Sequence, residues 1–358
     1  MAAIAIEVPG IYPFEILMSL NVTPPCHAVE GLINEGQNTI FAGYFGVGKT
    51  MLAGQLSICL ATGRPFVGRA VRRRYKVVFM DFETGPGAIQ QRLAKQVEAM
   101  HLTEEERTAL DKNWTYVNTL EEKSEFYGWQ MDEAGLAKLA KFLNGVEAEV
   151  LIADNLGWFV KGDLDDPKEV KRFYGTLRDL KTECPSLQHG FILMLHHLVK
   201  PTGDREKRCS LLTAPREYLS QARGSQRLLD FAECRLALAE ELCGDQIVHI
   251  VNGVNRTGVV DALIMQLQQE TLTFDLHEDG QLRYTQAFAG KARQKQVFDL
   301  LPDGEFTWTE AIMTIRIGDK PVSKDTLSGM LRTARGNGFV VQDPETKKYK
   351  RVFRPRAD

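Results

Sequence analysis

One glycine-rich segment, residues 43–50 with the sequence GYFGVGKT, constrains this chain more than any other feature. It matches the pattern GxxxxGK[ST], follows a predicted strand over 38–43 and opens a predicted helix over 49–62, which is the context of a phosphate-binding loop (P-loop). Glycines let backbone N–H groups converge on phosphate oxygens, and the helix N-terminus adds its dipole. The predicted nucleotide-binding residues are Gly43, Gly46, Val47, Gly48, Lys49, Thr50 and Met51.

Two side chains of the P-loop have predicted catalytic or metal-binding roles. Lys49 is expected to reach the β- and γ-phosphates, and Thr50 is expected to hold Mg²⁺ through its hydroxyl. ATP and Mg²⁺ are therefore the predicted cofactors.

The chain around the P-loop alternates between short apolar strands and helices. Strands are predicted over 38–43, 76–82, 149–155 and 190–197, and helices over 49–62, 86–100 and 167–182. Near-continuous apolar strands that alternate with helices predict an α/β fold, in which a mostly parallel sheet has helices on both faces. Consecutive strands within 224–275 predict an antiparallel extension at one edge of that sheet.

Polar side chains stand at the ends of three of these strands. The second strand ends with Asp81 and Glu83, and Glu83 is the predicted carboxylate that polarises the attacking water, whereas the role of Asp81 stays open. The third strand ends with Asp154, the predicted carboxylate on the Mg²⁺ water shell. The fourth strand ends with His196 and His197, either of which could contact the γ-phosphate and report its loss.

Charge is distributed unevenly along the 358 residues. The net charge is −3, but residues 288–358 carry 14 Lys and Arg against 9 Asp and Glu, a balance of +5 that leaves −8 for the rest. An acidic body with a basic C-terminal part predicts two domains with different partners. No apolar run approaches the ~20 residues of a membrane span, and six cysteines without a CxxC pair predict reduced thiols in a cytoplasmic protein.

The predicted domain organisation has four parts: an N-terminal segment over 1–36, a P-loop ATPase domain over 37–277, a linker over 278–290 and a C-terminal domain over 291–358. In the last part, the predicted elements are helices over 291–301, 309–315 and 323–337 and a hairpin over 338–354. Three helices followed by a hairpin are typical of a winged helix-turn-helix domain. Phe306 and Trp308 are interpreted as core residues of that domain.

The order of five segments resembles a known family. The segments are the P-loop with Thr50, Asp-Phe-Glu at 81–83, Ala-Asp-Asn at 153–155, His-His-x-x-Lys at 196–200 and Ala-Arg-Gly-Ser at 222–225. Over about 30–275, the chain resembles the RecA-like ATPases of the plasmid RepA helicase type, which are cousins of the DnaB replicative helicases. The resemblance implies a RecA-like fold, a ring that is commonly a hexamer, ATP at the subunit interfaces and single-stranded DNA in the channel.

The resemblance also implies roles for particular residues. Glu83 falls where the family has its catalytic glutamate, and His197 falls near the sensor position, where His196 could equally align. DnaB-type helicases carry a Lys-x-Arg pair whose arginine reaches the γ-phosphate of the neighbouring subunit. Arg256 matches that arginine, although a valine stands where the lysine is expected, and Arg223 is the second candidate for this trans arginine.

Three segments carry candidate DNA contacts. In the family the segment after the fourth strand faces the channel, and its candidates are Lys200, Arg205, Lys207, Arg208 and Arg223. The loop after Asp154 offers Lys161 and either Trp158 or Phe159, although its aspartates oppose tight phosphate contact. In the C-terminal domain, a recognition helix and a basic wing fit docking on duplex DNA, although winged helices also bind proteins. The candidates there are Lys324, Arg332, Lys347 and Lys348.

Three functions are compatible with these patterns. The first is an ATP-hydrolysing, DNA-dependent motor, a RepA-like helicase or translocase in the replication of a plasmid, phage or mobile element. The second is an ATP-gated DNA-binding regulator, and the third is a protein-remodelling or signalling ATPase without a DNA partner. Stimulation of ATP hydrolysis by single-stranded DNA would separate the first from the other two.

Overall fold

The computed structural model describes residues 13–19, 26–160, 162–199, 209–222, 226–243, 246–256, 260–277, 287–288, 290–302, 304–337, 339–344 and 346–351. No helix within these ranges is long and apolar enough to cross a membrane.

Among the described residues between 26 and 277, nine strands form one sheet and two short strands form a separate pair. The pair consists of β1 (His27–Val29) and β2 (Ile33–Asn34). The sheet consists of β3 (Asn38–Gly43), β4 (Val77–Asp81), β5 (Trp114–Asn118), β6 (Val150–Asp154), β7 (Phe191–His197), β8 (Cys234–Cys243), β9 (Gln246–Asn255), β10 (Leu263–Gln268) and β11 (Thr273–Leu276). Across the sheet the order is β11-β10-β9-β8-β3-β7-β6-β4-β5.

The direction of the strands divides this sheet into two parts. From β8 to β5 every neighbouring pair is parallel, whereas β9, β10 and β11 continue the sheet with antiparallel pairs. Every residue of β3, β4 and β6 is buried, which explains why these strands are continuous apolar runs in the sequence. The predicted α/β class, the mostly parallel sheet and its antiparallel extension are confirmed.

Helices cover both faces of this sheet. In chain order they are α1 (Phe14–Ser19), α2 (Lys49–Thr62), α3 (Pro86–Ala99), α4 (Glu104–Asn113), α5 (Glu133–Gly145), α6 (Leu156–Phe159), α7 (Pro167–Glu183), α8 (Pro215–Leu219) and α9 (Gln226–Phe231), with a 3-10 turn at Pro185–His189.

The sheet separates two hydrophobic cores, because successive side chains of a strand point to opposite faces. Ile40 belongs to one core and its neighbour Phe41 belongs to the other. Helix α2 packs on the Phe41 side through residues such as Leu52. Helices α5 and α7 pack on the Ile40 side through residues such as Leu139 and Leu177. The P-loop end of β3 therefore lies between two layers of helices.

The described residues between 287 and 351, called the tail below, form separate elements. These are α10 (Ala292–Asp299), β12 (Glu305–Phe306), α11 (Trp308–Thr314), β13 (Arg316–Ile317), β14 (Lys320–Pro321), α12 (Lys324–Gly336), β15 (Val340–Gln342) and β16 (Tyr349–Arg351). The three helices and the hairpin strands agree with the prediction, whereas β12, which pairs with β16, and the pair β13-β14 were not predicted. Phe306 is buried in the hydrophobic cluster of the tail, whereas Trp308 is half-buried at its margin.

Candidate active site

The carboxyl ends of four neighbouring parallel strands, β3, β7, β6 and β4, meet at one edge of the sheet. The P-loop connects the end of β3 to the start of α2 at this edge. Gly46 and Gly48 have φ angles of 83° and 95°, a left-handed conformation that residues with a Cβ rarely adopt. Among the described residues no side chain caps α2, so the N–H groups of its first turn are available to an anion.

The Lys49 side chain folds back over the P-loop. Its Nζ donates to the carbonyl oxygens of Gly43 at 2.9 Å and Tyr44 at 3.0 Å, and it lies 3.4 Å from Nδ1 of His197. Desolvation lowers the pKa of this amine to about 8, against the opposing effect of two nearby carboxylates. The ammonium group therefore lies inside the loop, where phosphate oxygens could replace the two carbonyl partners.

The two residues predicted to hold the metal are in contact. The Thr50 hydroxyl donates to Oδ2 of Asp154 at 2.6 Å. Asp154 is 2% exposed, and burial raises its pKa to about 6 even though the Thr50 hydrogen bond lowers it. Hydroxyl and carboxylate oxygens suit Mg²⁺, which usually takes its other ligands from water and phosphates. No group of three or more His, Cys, Asp and Glu in the described ranges could hold a metal ion. The pair thus fits Mg²⁺ only in company with a nucleotide.

Glu83, Asn155 and His197 form a polar cluster beside Lys49. The Nδ2 group of Asn155 donates to Oε2 of Glu83, and Nε2 of His197 lies 3.5 Å from the same oxygen. The same Nε2 lies 3.4 Å from Nδ2 of Asn155. His197 therefore lies between the P-loop lysine and the predicted catalytic glutamate. The neighbouring His196 is buried, with 3% of its surface exposed.

Asp81 has a positioning role that the sequence left open. Its Oδ1 accepts hydrogen bonds from the backbone N–H groups of Glu83 at 3.1 Å and Thr84 at 2.9 Å. Its Oδ2 accepts from the N–H of Gly85 at 2.7 Å and from the Tyr116 hydroxyl at 2.7 Å. Burial and this contact with Asp81 raise the pKa of Tyr116. With both oxygens engaged by donors, Asp81 fixes the turn that carries Glu83 instead of competing with it as a base.

An open cavity of about 570 Å³ adjoins this cluster and is lined in part by Glu83, Asn155 and both histidines. Two aromatic rings stand at its margin, Phe45 of the P-loop at 74% exposure and Trp158 at 64% exposure. Phe159 is wholly buried. Of the two aromatic candidates in the loop after Asp154, only Trp158 is therefore accessible to a ligand.

Arg256 does not reach the P-loop of its own chain. It follows Asn255, which pairs with Cys234 at the start of β8, and Cys234 is level with Thr39 near the start of β3. The Arg256 residue is exposed, and its backbone N–H donates to the carbonyl of Glu233 at 2.9 Å. It thus lies at the sheet edge where the parallel strands begin, opposite to the P-loop.

The candidate DNA-binding residues of the segment after β7 lie outside the described residues; they are Lys200, Arg205, Lys207, Arg208 and Arg223, and Lys161 also lies outside. The basic residues closest to β7 lie within 200–208, and the structure describes Val199 before them and residues 209–222 after them. The Val199 N–H donates to the Gln221 carbonyl at 2.9 Å. Tyr44 of the P-loop donates its hydroxyl hydrogen to the Gln221 side chain and packs edge-on against Tyr218, with ring centroids 5.8 Å apart. Val199, the residue directly before the basic residues 200–208, is therefore linked to the P-loop through Gln221.

The candidate DNA-binding residues of the tail lie on α12 and on the hairpin turn. Lys324, Arg332, Lys347 and Lys348 are all exposed. Lys348 lies 3.8 Å from a carboxylate oxygen of Glu305, and Nζ of Lys347 donates across the turn to the Pro344 carbonyl at 2.6 Å.

Sequence reasoning missed three site residues: Asn155, Tyr116 and Tyr44. Asn155 is also the N-cap of α6, where its Oδ1 accepts from the Gly157 N–H at 3.0 Å. An asparagine as the last residue of a predicted strand, directly before a helix, is a signal that could have identified it. Tyr116 and Tyr44 have no comparable signal, because their partners are distant in the sequence.

The P-loop lysine, the Thr50–Asp154 pair and the glutamate at the adjacent strand end together define a P-loop ATPase. The family model described as "AAA domain" matches residues 15–203, more than half of the chain, and the chain belongs to this family. No curated protein sequence matches the chain.

Solved structures that are similar to the chain include the following two. One is a KaiC-like protein from the hyperthermophilic archaeon Pyrococcus horikoshii, with 13% identity and a TM-score of 0.43 over 70% of this chain and 94% of that chain. The other is described as an ATPase domain, with 15% identity and a TM-score of 0.48 over 68% of this chain and 85% of that chain.

Proposed function

We propose that this protein is an ATP-hydrolysing, DNA-dependent motor, a RepA-like helicase or translocase in the replication of a plasmid, phage or mobile element. The observation that carries the DNA dependence is the link between the P-loop and Val199, which directly precedes the basic residues 200–208: the Val199 N–H donates to the Gln221 carbonyl, and the Gln221 side chain accepts from the Tyr44 hydroxyl. That segment has four Lys and Arg against two acidic residues. A phosphate backbone bound there would act on the same loop that binds the nucleotide.

The site geometry supports a division of roles during hydrolysis. Bound ATP and Mg²⁺ would supply the transferable phosphoryl group and the charge that polarises it. Lys49 would hold the β- and γ-phosphates, while Thr50 and Asp154 would hold the metal ion. Glu83 would accept a proton from the attacking water, and His197 would register the γ-phosphate from its position between Lys49 and Glu83.

We also propose that the protein assembles into a ring of subunits. In the family that the sequence resembles, such a ring commonly has six. Arg256 would act on the nucleotide of the neighbouring subunit, and its exposed position opposite to its own P-loop supports such a role. Arg223 is the alternative trans arginine. Single-stranded DNA would pass through the channel of the ring.

The tail would be a winged helix-turn-helix domain, joined to the ATPase domain by a linker over 278–290. Its DNA contacts would come from Lys324 and Arg332 on α12 and from Lys347 and Lys348 on the hairpin turn. The exposure of these four cations also favours a second candidate function, an ATP-gated DNA-binding regulator.

Displacement of streptavidin from the biotinylated end of a single strand tests motor activity directly. The wild-type protein should displace it with ATP, while Glu83→Gln should bind the same strand without displacing it. DNA binding that depends on ATP but produces no displacement would favour the regulator. Absence of DNA binding in every nucleotide state would contradict both functions.

A further inference from the structure

The tail contains a cleft that shares one residue, Arg332, with the DNA contacts proposed above. Its volume is about 510 Å³, within the ~300–1,000 Å³ typical of small-molecule sites. It lies between one face of α12, the start of α11 and strand β16. The lining residues are Trp308, Ser328, Leu331, Arg332, Arg335 and Tyr349.

The charge of this cleft is positive and uncompensated. Arg332 and Arg335 are three residues apart on α12, so they project from the same face of the helix. Both are exposed, neither forms an ion pair within the described ranges, and no acidic side chain lines the cleft. Lys348 of the tail, by contrast, has an acidic partner, since its Nζ lies 3.8 Å from a carboxylate oxygen of Glu305. The cleft therefore favours an anionic ligand.

Two aromatic rings stand beside the arginines, and local structure holds both in place. Tyr349 stacks on the buried Phe306, with centroids 5.7 Å apart and planes 24° apart, and the two residues are paired across β12 and β16. Trp308 is the first residue of α11, whose start is fixed by a capping box between Thr307 and Glu310, and its side chain packs against the hydrophobic cluster of the tail. Half-buried rings held in this way offer faces for stacking at little cost in side-chain entropy.

From this combination we infer that the cleft binds one unpaired nucleotide of single-stranded DNA. The base would stack against Trp308 or Tyr349, and the adjoining phosphates would contact Arg332 and Arg335. Duplex DNA is a poorer occupant, because its bases are already stacked and paired and would have to leave the helix to reach the rings. The inference rests on the proposed function in one respect only, that DNA is the partner.

Photo-crosslinking of the full-length protein tests this assignment without any substitution. The probe is a short oligothymidylate with 5-iododeoxyuridine in place of some thymidines, and the crosslinked residues are identified by mass spectrometry. We expect crosslinks at Trp308 or Tyr349, with unlabelled single strand competing and blunt duplex of mixed sequence competing far less. Crosslinks confined to residues outside the tail, or equal competition by duplex, would overturn the assignment.

Matched double variants test the role of the charges. Arg332→Gln with Arg335→Gln removes two cations from the cleft, whereas Arg316→Gln with Lys320→Gln removes two exposed cations from β13 and β14 of the same tail. Crosslinking at the cleft should fall in the first variant and persist in the second. Equal loss in both variants would mean that general tail charge, and not the cleft, attracts the strand.

Ring substitutions measure the stacking contribution. Trp308→Ala should weaken binding of the strand by roughly 5- to 100-fold, the range found for loss of one stacked base, whereas Trp308→Phe should retain most of the affinity. If the Trp308→Ala and Tyr349→Ala variants both bind the single strand with unchanged affinity, stacking in the cleft is contradicted. ATPase stimulation by the same strand is measured in parallel. Crosslinking at the cleft without stimulation would refute the motor and leave the cleft assignment standing.

Discussion

At the scale of single residues, two side chains of the candidate site lie next to the same atom, Oε2 of Glu83. Asn155 donates to this oxygen, and His197 lies 3.5 Å from it. Asp81 holds the backbone of the turn that carries Glu83, through hydrogen bonds at 3.1 Å and 2.9 Å to successive N–H groups. The glutamate is therefore positioned from its backbone and from its carboxylate before any nucleotide binds.

Substitution of Glu83 by glutamine separates binding from hydrolysis. Glu83→Gln keeps the shape of the side chain but cannot accept a proton, so turnover should fall by ~10²–10⁴ while ATP affinity is retained. Single-turnover hydrolysis and titration with a fluorescent ATP analogue measure the two quantities. Lys49→Ala is the control, because it should lose both affinity and turnover. Near-normal turnover by Glu83→Gln would remove Glu83 from the role of base.

Substitution of Asn155 tests whether its amide positions the glutamate. Asn155→Ser can still cap α6 through its hydroxyl but loses the Nδ2 donor to Glu83. We expect kcat to fall by about 10- to 100-fold with little change in KM, because a displaced catalytic group loses alignment. Asn155→Ala removes the cap as well and should also lower the thermal stability. Full activity of Asn155→Ser beside an impaired Asn155→Ala would reduce the role of Asn155 to capping.

At the scale of elements, the strands and helices beside the motifs were predicted, whereas α4, α5 and β5 were not. Helix α2 has the predicted bounds, Lys49–Thr62, because its glycine-rich start and apolar spacing are strong local signals. Helix α4 escaped prediction because Ala109 is its one buried residue, so it lacks an apolar stripe. Strand β5 is a sheet edge with mostly half-buried residues and follows α4 directly. Propensity alone does not reveal such a strand.

In the candidate site, single residues at strand ends could be predicted, whereas contacts between residues of different strands could not. Glu83, Asp154 and His197 were predictable because parallel strands carry functional groups at their carboxyl ends. The Asn155–Glu83 contact depends on β4 and β6 being neighbours, and the Tyr116–Asp81 contact depends on β5 being next to β4. Strand order follows from long-range packing, which a local pattern does not encode.

Removal of a core side chain from α7 measures how strongly this helix layer supports the sheet. Leu177 is wholly buried in the core on the Ile40 side of the sheet. Leu177→Ala should lower the free energy of unfolding by about 2–5 kcal/mol, through lost burial and a residual cavity. Urea unfolding followed by circular dichroism measures the change. The adjacent Arg178, 82% exposed, supplies the control, since Arg178→Ala should change stability by less than about 0.5 kcal/mol. Similar losses in both variants would contradict the packing described for α7.

At the scale of the whole molecule, the proposed ring requires subunits to complete each other's sites. Each chain holds the P-loop at one edge of its sheet and Arg256 at the other. A head-to-tail arrangement could bring the arginine of one chain to the nucleotide of the next. Such an interface closes into a ring when the rotation between subunits allows it.

Mixing two inactive variants tests this arrangement. Arg256→Ala should bind ATP but lose hydrolysis, since a trans arginine can contribute ~10³–10⁵ in rate. Mixed with Lys49→Ala subunits, it should regain some activity, because some interfaces then combine an intact P-loop with an intact arginine. Hydrolysis should also rise faster than linearly with wild-type concentration near the assembly threshold. Full activity of Arg256→Ala, or a fully active wild-type monomer, would reject the shared site.

The steady-state rate of ATP hydrolysis with and without single-stranded DNA tests directly whether the protein is a DNA-dependent ATPase. We expect a low basal rate and a clear rise in kcat when the strand is added, because Val199, directly before the basic residues 200–208, is linked through Gln221 to Tyr44 of the P-loop. Glu83→Gln should remain inactive in both conditions, which excludes a contaminating ATPase. A wild-type rate that is the same with and without DNA, at saturating ATP and with the strand shown to be bound, would contradict a DNA-dependent motor.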